Sequence, residues 1–458
     1  MVKYVVYGLG ISGISAIKFL AKNHEVIATD DNEKSILDAK NKLNLPQVKF
    51  LKPQEINFDG DTVISFSPGI PLYFPNPHKI LEIVKKTGAK LACDLEIFYQ
   101  EKSQNEFIAI TGTNGKSTTT ALTGFILKEL GIDADVGGNI GIPCFELMES
   151  DNKTHVFETS SYQLDLLSQS HFHITALLNI TPDHIDRHGS LEGYIKAKKR
   201  IFRNQNENDF ALIDVDNHNS HKVFQDLQND HSFKAKLIPI STLKIQKGGV
   251  ALIDGILFND IGGIGSKLEL KSDFLKGNHN DQNMAFAFAI AYLKLRAGEE
   301  KIIESIKKFP GLKHRLQLVG QIDNIKFIND SKATNAQSTQ NALKSYDNIF
   351  WILGGKAKDG GISSLKPYFN KITKAYLIGD ASEEFAKTLA ESGVFFEKCD
   401  NLQNAFEKSV FDAKNNSLSQ KNILLSPACA SFDQWKNFEE RGDYFCKLVD
   451  DLQDSTKR

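Results

Sequence analysis

The chain has 458 residues, 41% of them hydrophobic and 24% charged, and a formal net charge of -2. This length exceeds what one hydrophobic core organises, and about 150 residues per domain predicts three domains. The balanced charge shows no basic excess, which argues against nucleic acid as a partner.

Nothing in the sequence predicts export or membrane insertion. The chain enters a strand at once, without a positively charged region followed by an apolar stretch and a cleavage site. Its longest apolar run, Met284 to Leu293, is far shorter than the ~20 residues of a membrane span and predicts a buried helix. The five cysteines form no CxxC pair, which is typical of a reduced compartment. We therefore expect a cytoplasmic protein with no membrane span.

The N-terminal segment predicts a strand, a glycine loop and a helix. Tyr4 to Tyr7 is the strand, GLGISG is the loop, and Asp30 follows about twenty residues later, where a Rossmann unit places its ribose-binding acid. This loop suits NAD, but it suits the diphosphate of any other nucleotide equally well. A second turn, SPGI, follows the predicted strand Thr62 to Phe66 and offers backbone donors, with a plain Pro-Gly turn as the alternative.

A polar segment, Gln100 to Glu106, predicts a domain boundary near residue 105, and a phosphate loop follows it. The apolar run Phe107 to Ile110 leads into TGTNGKSTTT and then into a helical pattern. Glycine backbone amides, the helix N-terminus and Lys116 would surround phosphate oxygens, and Ser117 could reach a magnesium ion. Only two residues separate the loop glycines, whereas the usual Walker motif has four before its GK pair. A simple glycine turn is the alternative, but this residue set after a strand favours nucleotide binding.

The central segment continues to about residue 311 with alternating strands and helices. Parallel strands are predicted at 156–158, 176–180 and 210–215, with a peripheral hairpin within the Gly-rich patch 248–265. Oxygen-bearing side chains near the phosphate loop could bind magnesium. His184 and His188 have zincin spacing, but Ile185 stands where a zincin has glutamate, so a protease is excluded. The basic cluster around Lys198 suits either a site or a solvated helix face.

The third segment repeats the strand–helix alternation after a hinge at Pro310-Gly311. Strands are predicted at 326–328, 349–353, 375–378 and 422–425, each ending in a polar or glycine loop, and the tail beyond Asp450 is expected to fray. The predicted fold is therefore α/β in three domains. These are a Rossmann-like domain at 1–105, a P-loop-type ATPase domain with a mostly parallel sheet at 106–311, and a Rossmann-like domain at 312–458.

The chain resembles the Mur ligases of peptidoglycan synthesis in an ordered series of motifs, namely TGTNGKST, GNIG, ETSSYQL, NITPDHIDRH, GNHNDQN, HRLQLVG, NDSKATN and SPACASFDQWKNFEERG. The central motifs are shared with a wider superfamily that includes folylpolyglutamate synthase. SPGI, NDSKATN and the last motif are narrower, and they are similar to those of the D-glutamate-adding members. The resemblance implies a monomer that uses ATP and two Mg²⁺ ions to join D-glutamate to UDP-N-acetylmuramoyl-L-alanine through an acyl phosphate.

The resemblance also implies roles for individual residues. The catalytic residues would be Lys116, His184 and Lys198, with Lys198 at the position that the family converts to a carbamate. The metal ligands would be Ser117, Glu158, His184 and Lys198. ATP would be bound by Gly112, Thr113, Asn114, Gly115, Lys116, Ser117, Thr118, Asn280, Asn283, Arg315 and Asp330. The UDP substrate would contact Gly10, Ile11, Ser12, Asp30, Ser67, Pro68, Gly69, Asn139 and His184. D-Glutamate would contact Lys332, Thr334, Lys358, Ser431 and Phe438.

Two positions depart from the family pattern. Several relatives have threonine and arginine after the acid at the end of the second strand, but this chain has Asp31 and Asn32 after Asp30. In GGKAKDGG, Lys356 competes with Lys358 for the substrate role, and its offset from the glycines favours Lys358. The alternatives are another ligase of the superfamily, an NAD-dependent oxidoreductase, and a nucleotide-gated binding protein without turnover. The DNPR motif of the diamino-acid ligases is absent from the sequence.

Overall fold

The structure is a computed structural model, and it describes residues 2–139, 142–147, 152–272, 274–275, 277–295, 298–356 and 361–456. It divides into two compact units, Met1–Ser272 with Asn278–Lys308, and Asp273–Gly277 with Phe309–Arg458. The first unit contains two sheets and the second contains one. The boundaries at 105 and 311 stay predictions. Among the described residues, no helix has the length and apolar character that a bilayer crossing needs.

The N-terminal sheet has five parallel strands in the order β3-β2-β1-β4-β5. This matches strands 3-2-1-4-5 of the Rossmann order, and it creates a crevice between the ends of β1 and β4, where the winding direction reverses. The elements are β1 (Lys3–Tyr7), α1 (Ile11–Leu20), β2 (Glu25–Thr29), α2 (Glu33–Leu43), β3 (Lys49–Phe50), β4 (Thr62–Phe66), α3 (Ile80–Thr87), β5 (Lys90–Ala92) and α4 (Asp94–Glu101).

The central sheet has nine strands in the order β14-β13-β12-β11-β10-β9-β6-β8-β7. The strands from β7 to β12 are parallel, and β13 and β14 form an antiparallel edge that confirms the predicted peripheral hairpin. The elements are β6 (Glu106–Thr111), α5 (Lys116–Glu129), β7 (Ala134–Gly138), β8 (Thr154–Glu158), α6 (Ser161–Asp165), β9 (Ile174–Leu177), α7 (Ile185–His188), α8 (Leu191–Lys199), β10 (Phe210–Asp214), α9 (His218–Gln228), β11 (Lys236–Ser241), β12 (Val250–Ile253), β13 (Ile256–Asn259), β14 (Ser266–Glu269), α10 (Asn278–Leu295) and α11 (Glu299–Lys308). Single 3-10 turns lie at Pro53–Glu55, Cys144–Glu146, Arg200–Phe202 and Ile261–Gly263.

The second unit has a six-stranded sheet in the order β15-β16-β20-β17-β18-β19, in which only the edge strand β15 is antiparallel. The expected frayed tail is wrong, because the last helix runs to Thr456 and buries Phe445 and Val449 against the sheet. The elements are β15 (Gln317–Ile322), β16 (Ile325–Asn329), α12 (Ala336–Ser345), β17 (Ile349–Gly354), a 3-10 segment (Ser363–Lys371), β18 (Ile372–Ile378), α13 (Ser382–Glu391), β19 (Phe396–Asp400), α14 (Leu402–Lys414), β20 (Lys421–Leu425) and α15 (Phe438–Thr456).

The fold class predicted from the sequence is confirmed, since three mostly parallel α/β sheets follow one another along the chain. The apolar run from Met284 lies in α10, and every side chain from Met284 to Ala291 is buried. All five cysteines are free thiols.

One buried histidine makes the stability of the first unit depend on pH. His155 lies on β8 among the rings of Phe98, Phe107 and Phe157, at centroid distances of 5.1, 5.5 and 5.6 Å. Its Nε2 pairs with Asn105 Nδ2 at 2.9 Å. Burial lowers the pKa of His155 from 6.5 to about 4. Between these two pKa values the unfolded chain therefore binds a proton at His155 that the folded chain does not bind. The free energy of unfolding has its full value above pH 6.5 and falls as the pH drops towards 4.

We expect the free energy of unfolding to fall by about 2 kcal/mol between pH 7.5 and pH 5 because of this histidine, a figure that follows from linkage across the two pKa values. Urea unfolding midpoints at the two pH values measure it. His155→Gln keeps a partner for Asn105 but does not titrate, so its midpoint should change less with pH. His231→Gln at an exposed position should behave like the parent chain, and equal pH dependence in all three proteins would contradict the expectation.

Candidate functional site

The crevice of the N-terminal sheet brings two predicted loops together. Ser67 N donates to Tyr7 O at 2.9 Å, which places the SPGI turn beside the GLGISG loop. Gly8 has a φ of +103°, and a Cβ there would lie 2.5 Å from Ser67 Cβ. A Cβ on Gly13 would lie 1.9 Å from Gly8 O. Both positions therefore require glycine, because the two loops and α1 approach one another at backbone distance.

The acid predicted to bind ribose also organises this loop. One carboxylate oxygen of Asp30 accepts from Leu9 N at 2.8 Å, and the other accepts from Asn32 N at 2.9 Å. Gly10, Ile11 and Ser12 follow at the start of α1, with Ile11 80% exposed. The predicted UDP-contacting residues of the glycine loop, Asp30 and SPGI thus lie around one crevice.

Asp31, which departs from the family pattern, has hydrogen-bond and ion-pair partners that the sequence did not reveal. Its carboxylate accepts from Tyr7 Oη at 2.7 Å and pairs with His78 Nε2 at 2.9 Å and Lys79 Nζ at 2.8 Å. Burial opposes its ionisation, but the hydrogen bonds from Lys79, His78 and Tyr7 outweigh it and lower the pKa of Asp31 to about 2. His78 and Lys79 lie 47 and 48 residues further along the chain, so local motifs could not point to them.

The phosphate loop lies between β6 and α5, and neighbouring elements hold its shape. Asn114 N donates to Asn179 Oδ1 at 2.9 Å, and Asn179 Nδ2 donates back to Asn114 O at 3.1 Å. Gly115 has a φ of +85°, and a Cβ there would lie 2.4 Å from Asn283 Oδ1. The same Asn283 oxygen accepts from Thr119 Oγ1 at 3.1 Å. Asn283 therefore abuts the loop.

The other predicted ATP-side residues of this unit lie around the same loop. Thr113 Oγ1 donates to Thr181 O at 3.2 Å and accepts from Thr181 N at 3.0 Å, which joins the loop to TPDHIDRH. Asn280 Oδ1 accepts from Asn283 Nδ2 at 3.0 Å. Ser117 and Thr118 lie in the first turn of α5, where the partial positive charge of a helix N-terminus favours anions.

Two lysines converge on one carbonyl of this loop. Lys116 Nζ donates to Gly112 O at 2.9 Å and Thr113 O at 2.8 Å. Lys198 Nζ donates to the same Gly112 O at 2.8 Å and to Thr111 Oγ1 at 3.3 Å. Burial, and then the charge of Lys116, lower the pKa of Lys198 well below its ordinary value. Lys198 is 1% exposed, so the solvated-face alternative for this residue is wrong.

The acidic residue next to this site has an unused oxygen. Glu158 lies at the end of β8 and is 4% exposed. Its Oε1 accepts from Asn139 Nδ2 at 3.1 Å, but its Oε2 is buried without a hydrogen-bond partner in the part of the chain that the structure describes. A buried carboxylate oxygen of this kind suits a hard cation. Within the described ranges, no three His, Cys, Asp or Glu side chains group closely enough to hold a metal by themselves.

The two histidines of TPDHIDRH have different environments. His184 is the left-handed residue before α7, with a φ of +52°, and its ring lies 5.2 Å from that of Tyr162. Burial, with the charges of Lys116 and Lys198, lowers the pKa of His184 against the opposing effect of Asp183.

His188 is buried instead, and its Nε2 lies 2.9 Å from Ser161 Oγ. Its other ring nitrogen, Nδ1, lies 3.4 Å from an Asp165 carboxylate oxygen. His188 therefore contributes to the packing of α7 and α6, and this agrees with the exclusion of a zincin site.

An arginine that sequence reasoning passed over joins the two halves of the first unit. The Arg187 guanidinium donates to the carbonyls of Pro68, Gly69 and Ile70 at 3.1, 3.2 and 3.1 Å. It also lies 4.2 Å from the centroid of the Tyr162 ring. Arg187 stands inside the TPDHIDRH motif, but its partners precede it by more than 115 residues, so only the fold reveals this contact.

In the second unit, the predicted residues gather at the ends of β16, β20 and β17. Asp330 follows β16 and accepts from Ser426 Oγ at 2.7 Å. Burial raises its pKa to about 7, although the hydrogen bonds and the charge of Arg315 act against burial. Lys332 Nζ lies 5.3 Å from the Phe438 ring centroid. The predicted ATP-side and amino-acid-side residues of this unit therefore lie at the carboxyl ends of its interior strands.

The remaining predicted residues of this unit lie at the same ends of the strands. Ser431 is buried after β20, and Thr334 N donates to Lys332 O at 2.8 Å. Lys356 N donates to Ala430 O at 2.9 Å. Lys358 lies outside the described residues, so the choice between it and Lys356 stays a prediction.

Arg441 was missed, although it stands in the quoted C-terminal motif. It is 1% exposed, and its guanidinium donates to Ser331 Oγ, Ser331 O and Cys429 O at 3.0, 2.8 and 3.2 Å. Because Ser331 and Cys429 belong to NDSKATN and SPACAS, one buried arginine fastens the two predicted amino-acid-binding loops together. The available signal was that Arg441 is a charged residue within the C-terminal motif whose other residues were predicted to bind D-glutamate.

Comparison with known proteins gives the family. Residues 110–291 match the Mur ligase middle domain, and residues 314–429 match the Mur ligase glutamate ligase domain. Over 450 residues the chain is 43% identical to the UDP-N-acetylmuramoylalanine--D-glutamate ligase of Rickettsia bellii, covering 98% of this chain and 97% of that protein. The chain belongs to the Mur ligase family. The enzyme of the same name from Wolbachia pipientis is 39% identical, with 98% and 96% of the two chains covered.

Solved Mur ligase structures have the same fold at low sequence identity. The UDP-N-acetylmuramate-alanine ligase of Thermotoga maritima aligns with a TM-score of 0.58 and 18% identity, covering 99% of this chain and all of that one. A solved UDP-N-acetylmuramoyl-L-alanyl-D-glutamate--2,6-diaminopimelate ligase aligns with a TM-score of 0.57 and 16% identity, covering 94% of each chain. These Mur ligases support the fold of this chain.

Proposed function

We propose that this chain is an ATP-dependent ligase that adds D-glutamate to UDP-N-acetylmuramoyl-L-alanine and releases ADP and phosphate, in the cytoplasmic stage of peptidoglycan precursor synthesis. The observation that carries the proposal is identity of about 40% along the full length to relatives that bear this enzyme name. The phosphate loop, the buried Glu158 and the two converging lysines supply the chemistry that such a ligase needs.

The reaction must turn a carboxylate into an electrophile. The carboxylate oxygen of the alanyl group attacks the γ-phosphorus of ATP, the bond from γ-phosphorus to the bridging oxygen breaks, and ADP leaves. The D-glutamate amine then attacks the acyl carbon, and the tetrahedral intermediate expels phosphate as the amide forms. Lys116 is placed to move from its loop carbonyls onto β- and γ-phosphate oxygens. Its positive charge offsets the repulsion between the two anions that must meet.

Magnesium fits the residues beside the loop. Ser117 at the start of α5 and the unpaired Glu158 Oε2 would hold it, together with phosphate oxygens. When bound, the ion would neutralise charge that develops on the phosphates. Asn139 holds the other oxygen of Glu158 and so orients that carboxylate. We propose a second ion near His184 on the family resemblance alone.

Lys198 is suited to carry a carbamate. Burial and the charge of Lys116 lower the pKa of Lys198 and so favour its neutral amine, and a neutral amine adds to CO₂ with release of a proton. The product has one negative charge where the ammonium had one positive charge. That exchange would remove the electrostatic conflict between Lys198 and Lys116 at Gly112 O, and it would give a cation a second oxygen ligand.

Phosphate release from ATP tests the proposal, assayed with UDP-N-acetylmuramoyl-L-alanine and a panel of L-alanine, a diamino acid, L-glutamate and D-glutamate. Release is expected only with D-glutamate. Release with the diamino acid or L-alanine would assign the chain to a different ligase of the family. Nicotinamide binding without phosphate release would instead favour the oxidoreductase alternative.

Arg187→Ala should raise the KM for the UDP substrate about tenfold, because loss of three hydrogen bonds to SPGI loosens the turn beside the substrate crevice. The KM for ATP should change little, since Arg187 does not contact the phosphate loop. Steady-state kinetics with each substrate varied separately measure the difference. Arg203→Ala, at an exposed position of the same unit, is the control, and equal KM values for the UDP substrate in both variants would rule out this positioning role.

A further inference from the structure

A cavity of about 350 Å³ opens in the first unit beside the last turn of α8, and it contributes nothing to the sites described above. Its walls come from α8, the Arg200–Phe202 turn, the end of α9 and the segment before β11. The volume lies within the range that small-molecule sites occupy. Lys199 on its wall directly follows Lys198, so adjacent residues of one helix serve the phosphate loop and this cavity.

The floor of the cavity is apolar and aromatic. Phe202 and Leu227 are buried, and Phe233 is half-buried beside them. The rings of Phe202 and Phe233 meet edge to face, with centroids 6.3 Å apart and planes at 86°. Phe202 is only 3% exposed, so the half-buried Phe233 ring, with Phe202 beneath it, offers most of the surface against which a flat apolar group can pack.

The rim of the cavity is cationic. Lys196, Lys199, Arg200 and Arg203 all line it, against the single acid Asp230. Asp230 already accepts from Ser232 N and Ser232 Oγ at 2.9 and 2.6 Å. An anion at the rim would therefore meet an excess of positive charge.

Existing contacts hold the rim cations in place without neutralising them all. Arg200 Nη1 donates to the backbone carbonyl of Asp165 at 2.7 Å, and its Nε lies 3.6 Å from the Asp165 carboxylate, so Arg200 is partly neutralised. Arg203 Nη1 contacts Leu167 O at 3.5 Å. Lys199 pairs with Asp226 at 3.4 Å, where both side chains are more than one-third exposed, so this pair is weak. The contact of Arg203 in the described part of the chain is to a neutral carbonyl, so Arg203 keeps its full charge for a ligand.

We propose that this cavity is a binding site for a small aromatic organic anion, with the ring on Phe202 and Phe233 and a phosphate or carboxylate at Lys196, Lys199 and Arg203. An apolar floor alone would accept neutral aromatics, and a basic rim alone would accept inorganic anions. Both halves line one open cavity, so the site selects a ligand that carries both. The proposal does not depend on the identity of the amino acid that the ligase adds.

Calorimetric titration with phenyl phosphate tests the site, in the presence of saturating ADP so that the phosphate loop is filled. We expect one saturable site per chain. Phenylacetate should compete if a carboxylate suffices, whereas inorganic phosphate and benzyl alcohol should each bind at least about tenfold more weakly, because each lacks one half of the ligand.

Arg203→Glu and Phe233→Ser should each weaken phenyl phosphate binding at least about tenfold. Lys222→Ala, at an exposed position of α9, should leave binding within about twofold. Circular dichroism and unchanged ligase turnover would show that the variants fold. Unaltered binding in Arg203→Glu and Phe233→Ser, or equal affinity for inorganic phosphate and phenyl phosphate, would overturn the proposal.

Discussion

Lys116→Ala should reduce kcat at least about a thousandfold, since a preorganised charge at the transferred phosphoryl group is among the largest contributions to such catalysis. Lys116 is the only side chain of TGTNGKST that carries a charge. Its ammonium already lies against the loop carbonyls of Gly112 and Thr113, so a phosphate replaces neutral acceptors with charged ones. Single-turnover measurement of phosphate release with saturating substrates measures the loss.

Lys128→Ala is the matched control for this variant. Lys128 lies in the last turn of the same helix and is exposed, so its removal tests general effects of losing a lysine from α5. We expect near-parental turnover from Lys128→Ala. If Lys116→Ala also kept more than about a tenth of the parental kcat, which is a barrier change below about 1.4 kcal/mol, the assignment of Lys116 to the transferred phosphate would be wrong.

Residues close together in the sequence could be placed before the structure was known. The strand, loop and helix around Lys116 depend on local glycines and on an apolar strand, and these determine backbone geometry within about ten residues. For the same reason, GLGISG and Asp30 were recognisable as parts of one Rossmann unit. The strand order of the first sheet was not predicted, because right-handed crossovers allow more than one order of the same strands.

Contacts between distant residues could not be derived from spacing. Lys198 and Thr111 are 87 residues apart, and only the packing of α8 against β6 brings the amine to Gly112 O. The resemblance pointed to Lys198, but not to a carbonyl shared with Lys116. The roles of Arg187 and Asp31 could not be predicted, because they depend on partners in other elements of the fold.

The misjudged tail shows a different limit. The residues after Asp450 were expected to fray because they form a chain terminus. However, Leu452 continues the apolar face of α15, on which Phe445 and Val449 are buried, so tertiary packing extends the helix. Helical periodicity across that boundary was the available signal.

Lys198→Ala should lower turnover at least about a hundredfold, and short carboxylic acids such as formate and acetate should restore part of it. Removing the side chain empties a buried space next to Glu158 and the phosphate loop, and a small carboxylate can supply the charge of the missing carbamate there. Lys198→Arg fills the same space with a permanent cation, so it should be inactive and should not be rescued. Turnover at increasing formate concentration, compared between the two variants, measures the effect.

The amine and carbamate hypotheses predict opposite results for this pair. If Lys198 acts as a cation, Lys198→Arg should retain activity and carboxylates should not help Lys198→Ala. If it acts as a carbamate, Lys198→Arg should be inactive and carboxylates should restore activity to Lys198→Ala. The parent chain grown with ¹³C-bicarbonate should then show a carbamate carbon resonance that Lys198→Ala lacks. The lowered pKa of Lys198 favours the second result, because a buried lysine beside Lys116 holds its proton poorly and offers CO₂ a neutral amine. Absence of both the rescue and the resonance would refute the carbamate.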